Sequence, residues 1–422
     1  MTRVRVRPGT VRGSVLPPPS KSYTHRALAA GHLANRTYVV ESPLDADDTR
    51  ATASAIRVLG SRVTLARNRW TVGARVRRGR VPSRVDCGES GTTLRFVAAL
   101  AARQDRPIDL EGRGRLGHRP ISELLGALEA LGASTDRPRG ARAFPLRVQG
   151  PIHGGRVRLD ASRSSQFASA LLLALPAVAG DSTLELEGTI VSEPYLEATL
   201  AVLRHHRVEV ERSGRRFDIP GDQSFRGRGM QVPGDASSAA YLWSAAAVTG
   251  GSIRVHGIPA SWPQADLAIL DVLRRAGAQV RLHHDGATVA GPLTEGVRVD
   301  LTDAPDLYPL VAVIAASIAR PSELRGAAHV VHKESDRRAG AVRLACAMGA
   351  SAAVRGERLR IRGARRLRPL RLTDLDDHRL VMSAAVAACA ASGPSVLGDA
   401  RAVAKSFPTF WTVLSGISEA SA

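Results

Sequence analysis

One pattern recurs along the chain and constrains its fold more than any other: an amphipathic helix that closes on a glycine and passes into a short strand. It reads AIRVLGSRVTL at Gly60, LEALGASTD at Gly132, VLRRAGAQVRL at Gly277 and LACAMGASAAV at Gly349. AVLRHHRVEVE supplies a further copy with His205 at the glycine position, and FWTVLSGIS at Gly416 a truncated last one. Glycine suits the left-handed position that ends a helix, and His is among the less unfavourable substitutes there. Helix-Gly-strand is common punctuation when met once. Six occurrences phased at roughly 72 residues predict an α/β subdomain repeated six times, since the unit is too long for a simple solenoid repeat.

Val-rich alternating stretches between these markers, such as VRVRPG, GGRVRLDA, GSIRVHG and GVRVDLTDA, predict half-buried strands. QFASALLLALPAVAG, SSAAYLWSAAAVTG, LYPLVAVIAASIA and HRLVMSAAVAACAASG are apolar nearly all round, which predicts helices buried inside the subdomains. Six units group naturally as two lobes of three, with the clearest seam near DQSFRGRGMQVPGDASS.

The basic residues carry the first chemical signal. Of 59 Lys and Arg only Lys21, Lys333 and Lys405 are lysines, each in a polar segment: PPPSKSYTHR, VHKESDRR and AVAKSFP. Arginine stays protonated, whereas a buried ammonium is a compact charge able to give up its proton, so three surviving lysines point to one site that handles anions and protons. The net charge of +20 raises nucleic acid as a partner, but the arginines are scattered and aromatics for base stacking are only 4% of the chain. An anionic small molecule fits as well. Cys87, Cys346 and Cys389 lack any paired spacing, which argues against a disulfide framework or zinc site and for a reducing cytoplasm. The start MTRVRVRPGTVRG has no apolar leader, and no long uncharged apolar run marks a membrane span.

Three hydroxyl-rich turns lead into helices. Ser20-Lys21-Ser22 enters a helix expected near Thr24 with Arg26 adding charge, and Cys87-Gly88-Glu89-Ser90-Gly91-Thr92-Thr93-Leu94-Arg95 enters a second, with Thr92 as cap. Ser162-Arg163-Ser164-Ser165-Gln166 enters the third. Each alone is an ordinary N-cap; together with the lysines they favour a phosphorylated ligand. Asp303-Ala-Pro-Asp306, Lys333-Glu334-Ser335-Asp336-Arg337 and Asp376-Asp377-His378-Arg379 place carboxylates at three more helix starts, where capping competes with acid–base work. Neither an HExxH motif nor a GxxxxGK[ST] phosphate loop is present, so no metal or nucleotide cofactor is expected.

From Ser20 to Pro408 these motifs, in this order, resemble the 5-enolpyruvylshikimate-3-phosphate (EPSP) synthase family. Gly114-Arg115-Leu116-Gly117-His118-Arg119-Pro120-Ile121, Ser192-Glu193-Pro194-Tyr195, Gly234-Asp235-Ala236-Ser237-Ser238-Ala239 and Ala404-Lys405-Ser406-Phe407-Pro408 complete the set. The resemblance implies an α/β, two-lobed enolpyruvyl transferase fold with three βαβαββ subdomains per lobe. One lobe is expected from residues 1-16 plus 233-422, the other from 17-232, with the active site between them. It implies transfer of the enolpyruvyl group of phosphoenolpyruvate to shikimate 3-phosphate through a tetrahedral intermediate, without cofactor or metal, by a cytoplasmic monomer.

Carried over by position, Ser22, Arg26, Ser164, Ser165, Gln166, Ser192 and Tyr195 are implied contacts of shikimate 3-phosphate, as are His329 and Lys333. Gly91, Arg119, Gln166, Arg337, His378, Arg379 and Lys405 are implied to hold phosphoenolpyruvate. Lys21 is implied to bridge both substrates, Asp306 to take the hydroxyl proton while also contacting shikimate 3-phosphate, and Glu334 to exchange a proton at the methylene carbon. The chain departs from the family's common pattern at Glu89, Phe96, Glu193 and His329. The rival expectations are a paralogous enolpyruvyl transferase acting on another alcohol such as UDP-N-acetylglucosamine, and a basic repeat protein that binds RNA.

Overall fold

The glycine-terminated helices close in one shared way. A computed structural model describes residues 2–75, 83–138 and 144–420. In it Gly60, Gly132, Gly277 and Gly349 adopt φ values of 110°, 104°, 101° and 93° immediately beyond their helices. At Gly277 the amide donates to the Arg274 carbonyl at 3.0 Å and the next amide, Ala278, reaches back to Leu273 at 3.0 Å. This is the paired closure that satisfies the last helical carbonyls. The fifth copy makes the same closure at Arg207, not His205: Arg207 has φ 53°, its amide donates to Arg204, and Val208 donates to Leu203. His205 is the last helical residue and His206 its cap. The sequence pattern puts the marker two residues early because arginine at a left-handed position carries no sequence sign. The last copy also differs, since Gly416 lies inside a helix that runs on to Ile417.

The chain divides into two compact units, Pro19–Pro233 and Met1–Pro18 with Gly234–Ala422. In chain order the helices of the first are α1 (Lys21–Ala34), α2 (Asp47–Val58), α3 (Gly91–Ala101), α4 (Ser122–Ala130), α5 (Ser165–Ala174) and α6 (Pro194–His205). Its third sheet shows the subdomain plan. Arg156–Asp160 lies parallel to Ser182–Glu187, which pairs antiparallel with Arg216–Ile219, itself in a hairpin with Glu211–Ser213. A parallel pair cannot be joined by a tight turn and needs a crossover, here α5, so the result is βαβαββ. The sheet built on Ser83–Asp86 repeats this order. In the sheet of Tyr38–Glu41 the place of first strand is filled by Gly229–Gln231, from the far end of the unit.

The other unit holds α7 (Ala236–Val248), α8 (Ile269–Arg275), α9 (Tyr308–Ala316), α10 (Arg337–Ala347), α11 (His378–Cys389) and α12 (Phe410–Ile417). Here too a distant segment fills a first-strand place: Gly9–Val15 runs parallel to Ser252–Val255. Asp235 N–H donates to Pro18 C=O at 2.8 Å in this unit, and Ser20 N–H to Pro233 C=O at 2.8 Å in the other, fixing the two segments where the chain passes from one unit to the other. The truncated sixth copy is a three-stranded sheet completed by the N-terminal strand Val4–Val6. Helices α9 and α11 are buried along their whole length, as their all-round apolar sequences predict. Leu310, Val311, Val313 and Ile314 are all 0% exposed, and each such side chain contributes about 1.5–3 kcal/mol on burial. Among the described residues no helix is long and apolar enough to cross a membrane.

Candidate functional site

In the unit Pro19–Pro233, α1 begins at Lys21 rather than near Thr24, because the Ser20 hydroxyl caps it by accepting from Tyr23 N–H. Lys21 therefore stands in the first turn, where its Nζ donates to Asp48 Oδ2 at 3.1 Å. Asp48 comes from the first turn of α2 and is tied deeper in, since Thr93 Oγ1 donates to its carbonyl. A buried chain of hydroxyls continues from there. Thr93 bonds Ser90 Oγ and Thr52 Oγ1, and Thr52 bonds His25 Nδ1 at 2.7 Å. Ser90, not Thr92, caps α3.

Arg26 is 2% exposed, and its donors are taken up by the protein. Nε donates to Thr199 Oγ1, one terminal nitrogen to Ser22 Oγ at 2.7 Å, and the other to Tyr195 C=O at 2.8 Å. Its guanidinium lies over the Phe96 ring, 5.5 Å from the centroid, and burial pulls its pKa down to about 10. In this conformation Arg26 positions Ser22 and Tyr195. Arg95 positions a neighbour in the same way, donating to Gln166 Oε1 at 2.5 Å and to the Pro120 carbonyl at 2.7 Å. Gln166 Nε2 then donates to Thr92 Oγ1, so the amide orientation is set from both ends. Holding Pro120 also holds Arg119, whose guanidinium packs against Gly91 at the start of α3. Ser164 caps α5, and Ser192, with φ 58°, is buried just ahead of α6. Glu193 is turned to Arg212, which sits over Phe217, so this departure from the family pattern has a local partner.

In the other unit, Asp235, Asp336 and Asp377 are helix caps, of α7, α10 and α11. Asp306 is not; α9 has no side-chain cap. Asp306 is instead where three cations converge. Arg337 donates to its Oδ1 at 2.6 Å, Arg379 to its Oδ2 at 2.7 Å, and Lys333 Nζ stands 3.8 Å away. Burial would raise the Asp306 pKa, but Arg379, Lys333 and Arg337 outweigh it and hold the carboxyl well below its ordinary range. The Arg337 side chain, 1% exposed, also donates to Glu334 Oε2 at 2.7 Å and Asp377 Oδ2 at 2.9 Å. Burial would lower its pKa; Asp377, Glu334 and Asp306 drive it up. Ser335 Oγ adds a second donor to Asp377, whose other oxygen accepts from Arg379 N–H. His329 is buried and pushed down to about 3, mainly by desolvation and then by Lys333. His378 is buried at the start of α11, and Lys405 ends the turn Ala400–Lys405, which buried Phe407 anchors through an edge contact with Phe410.

The structure thus brings Ser22, Arg26 and Tyr195 together, sets Lys21 against Asp48, joins Gln166 to Arg95, and gathers Lys333, Glu334, Arg337 and Arg379 around Asp306. Sequence reasoning missed Asp48, Thr199 and Asp266 as partners of these groups. No local pattern marks them, because each meets its partner only across the fold.

The family model for EPSP synthase (3-phosphoshikimate 1-carboxyvinyltransferase) matches residues 6–414. A protein of Halobacterium salinarum named 3-phosphoshikimate 1-carboxyvinyltransferase is 39% identical over 421 residues, covering 98% of both chains. One of Thermococcus kodakarensis with the same name is 40% identical over 406 residues, covering 95% of this chain and 96% of that one. Among solved structures, EPSP synthase from Acinetobacter baumannii superposes with a TM-score of 0.82 at 23% identity, covering 99% and 98% of the two chains, a likeness of fold.

Proposed function

The chain belongs to the EPSP synthase family, and from that premise we propose that it transfers the enolpyruvyl group of phosphoenolpyruvate to the 5-hydroxyl of shikimate 3-phosphate, releasing phosphate. The hydroxyl oxygen bonds to C2 of phosphoenolpyruvate while C3 takes a proton. The tetrahedral adduct then loses a proton from the methyl group and expels phosphate. Bringing two multiply charged anions together requires cationic donors already fixed in place. The observation that carries the reading is the convergence of Arg337, Arg379 and Lys333 on the single carboxylate of Asp306, a preformed set of cations for an anionic substrate.

In this reading Ser22, Ser164, Ser165, Ser192 and Tyr195 hold shikimate 3-phosphate, with Arg26 fixing two of them and His329 and Lys333 completing the contacts. Arg119 against Gly91, with Gln166, Arg337, Arg379, His378 and Lys405, takes phosphoenolpyruvate. Lys21 serves both substrates and protonates the departing bridging oxygen. Glu334 gives C3 its proton and later takes one back. Asp306 accepts the hydroxyl proton. While Arg379, Lys333 and Arg337 are paired with it, its depressed pKa makes it a weak base. Substrate anions that take over the pairing of Arg379 and Lys333 restore its basicity, so the base is switched on by substrate. The same reading carries a cytoplasmic monomer with no cofactor, metal, nucleic-acid or membrane partner. The named relatives do not favour UDP-N-acetylglucosamine as acceptor.

The test is phosphate release from phosphoenolpyruvate by purified protein given shikimate 3-phosphate, shikimate or UDP-N-acetylglucosamine in turn. Release only with shikimate 3-phosphate, lost in Lys21→Arg, supports the reading. Release with another acceptor alone, or with none, rejects it.

A further inference from the structure

Asp266 is a buried carboxylate that the proposed reaction does not use. It lies in the turn Ala265–Ala268 and is 1% exposed. The turn is pinned to the start of α7, because Gln264 Oε1 accepts from Ala236 N–H and its Nε2 donates to Gly234 C=O. Ser237 in the first turn of α7 donates to Asp266 Oδ2. That same oxygen stands 3.8 Å from Arg379. The other oxygen, Oδ1, is buried with no hydrogen-bond partner among the described residues. A buried oxygen left unpaired destabilises a fold, so stability alone does not account for a carboxylate here.

The guanidinium of Arg379 is therefore held on two sides, tightly by Asp306 at 2.7 Å and more loosely by Asp266. Of these two holds, that of Asp266 is the one compatible with a substrate anion taking the place of Asp306. We propose that Asp266 is a positioning residue for phosphoenolpyruvate binding, keeping the Arg379 guanidinium in place when the substrate anion displaces Asp306. The inference rests on the reading of Arg379 as a phosphoenolpyruvate contact. Ser237 orients the carboxylate, and the groups facing it are Arg379 from α11, Asp306 from the turn before α9, and Asp235 at the cap of α7. Burial pushes Asp266 up to about 6; Arg379 pulls it down, while Asp306 and Asp235 add to the rise. The anchor is thus charged above that pH and neutral below it.

The experiment compares Asp266→Asn, Asp266→Glu and Ser237→Ala in the full chain, with initial rates for each substrate between about pH 5 and 8. Asp266→Asn is expected to raise KM for phosphoenolpyruvate about tenfold, with KM for shikimate 3-phosphate changed less than about twofold. The wild type loses affinity for phosphoenolpyruvate as pH falls through about 6; in Asp266→Asn that loss shrinks to the titration of the substrate itself. Asp266→Glu recovers part of the affinity, and Ser237→Ala gives a smaller rise in the same constant. An unchanged KM for phosphoenolpyruvate in Asp266→Asn, or an equal rise for both substrates, overturns the proposal. If the wild type releases no phosphate, the reading of function fails instead. The anchor is then read from thermal shift against inorganic phosphate: a midpoint moved about tenfold upward in Asp266→Asn supports it, and an unmoved midpoint overturns it.

Discussion

The guanidinium of Arg119 lies so close to Gly91 that a methyl group at position 91 would come within 2.6 Å of its Cζ. Two positive features share this spot, the arginine and the first turn of α3, and an anion bound beside both would be favoured by each. Glycine is required here for close approach. Gly91→Ala is expected to push the guanidinium aside and leave the backbone in place. Steady-state kinetics should show KM for phosphoenolpyruvate up about tenfold, and calorimetry a Tm within about 2–4 °C of wild type. An unaltered KM would show that Arg119 does not depend on this contact.

Phe96 supports Arg26 from below at 5.5 Å, in a position where the family often has proline. Phe96→Ala removes both the ring under the cation and a 1%-exposed core side chain. The expected loss is about 3–5 kcal/mol in denaturant unfolding. Phe96→Leu keeps most of the volume, so its stability should fall by less than about 1.5 kcal/mol. Because Arg26 holds Ser22 and Tyr195, Phe96→Leu should still raise KM for shikimate 3-phosphate several-fold and leave KM for phosphoenolpyruvate alone. Equal effects on the two constants would contradict this division.

Asp306→Asn leaves Arg379 and Lys333 without the carboxylate they share, while Arg337 keeps Glu334 and Asp377. If Asp306 is the base, kcat should fall by about 10²–10⁴. Removing one partner of a buried pair costs about 3–5 kcal/mol, and inorganic phosphate should restore part of it by replacing the lost charge. A variant whose Tm responds to phosphate no more than the wild type would argue against these cations as an anion site.

Acid should destabilise the protein steeply. Desolvation pushes His25, His32 and His329 down to about 3, and His206 to about 4, from an ordinary value near 6.5. With folded values depressed, each histidine stays neutral in the native state while the unfolded chain takes a proton below about 6.5. The stability is therefore present above that pH and lost as pH falls toward 4. Each contributes up to about 1.4 kcal/mol per pH unit, so together they amount to about 6–7 kcal/mol between pH 6.5 and 5. That is comparable to a whole domain's stability. Denaturant unfolding at pH 7, 6 and 5 measures the slope, and a flat profile would refute the assignment. His32→Gln should remove about a quarter of it.

Some parts of the site could be read directly along the chain. Ser164, Asp235, Asp336 and Asp377 cap helices at starts the sequence marked, because a cap bonds only to amides two or three residues on, whereas Ser20 and Ser90 cap α1 and α3 ahead of the residues the sequence pointed to. The helix closures were legible at Gly60, Gly132, Gly277 and Gly349 and misplaced at His205, since Arg207 makes an identical turn without the residue that announces it. Thr92 looked like a cap and proved to be the acceptor for Gln166, 74 residues away.

The chain by itself determined its six-fold subdomain plan, its buried helices, several of its helix starts and the ordered motifs of its family. These depend on periodicity and on neighbours a few residues apart. Only the tertiary structure decided that Gly9–Val15 and Gly229–Gln231 each complete a sheet far away in sequence. It alone decided that Arg26 is occupied within the protein, that Asp306 is held ionised by three cations, and that Asp266 stands behind Arg379. The reason is physical. Pairing and pKa depend on distance and on lost water, and both are set by side chains that the sequence separates and the fold brings together.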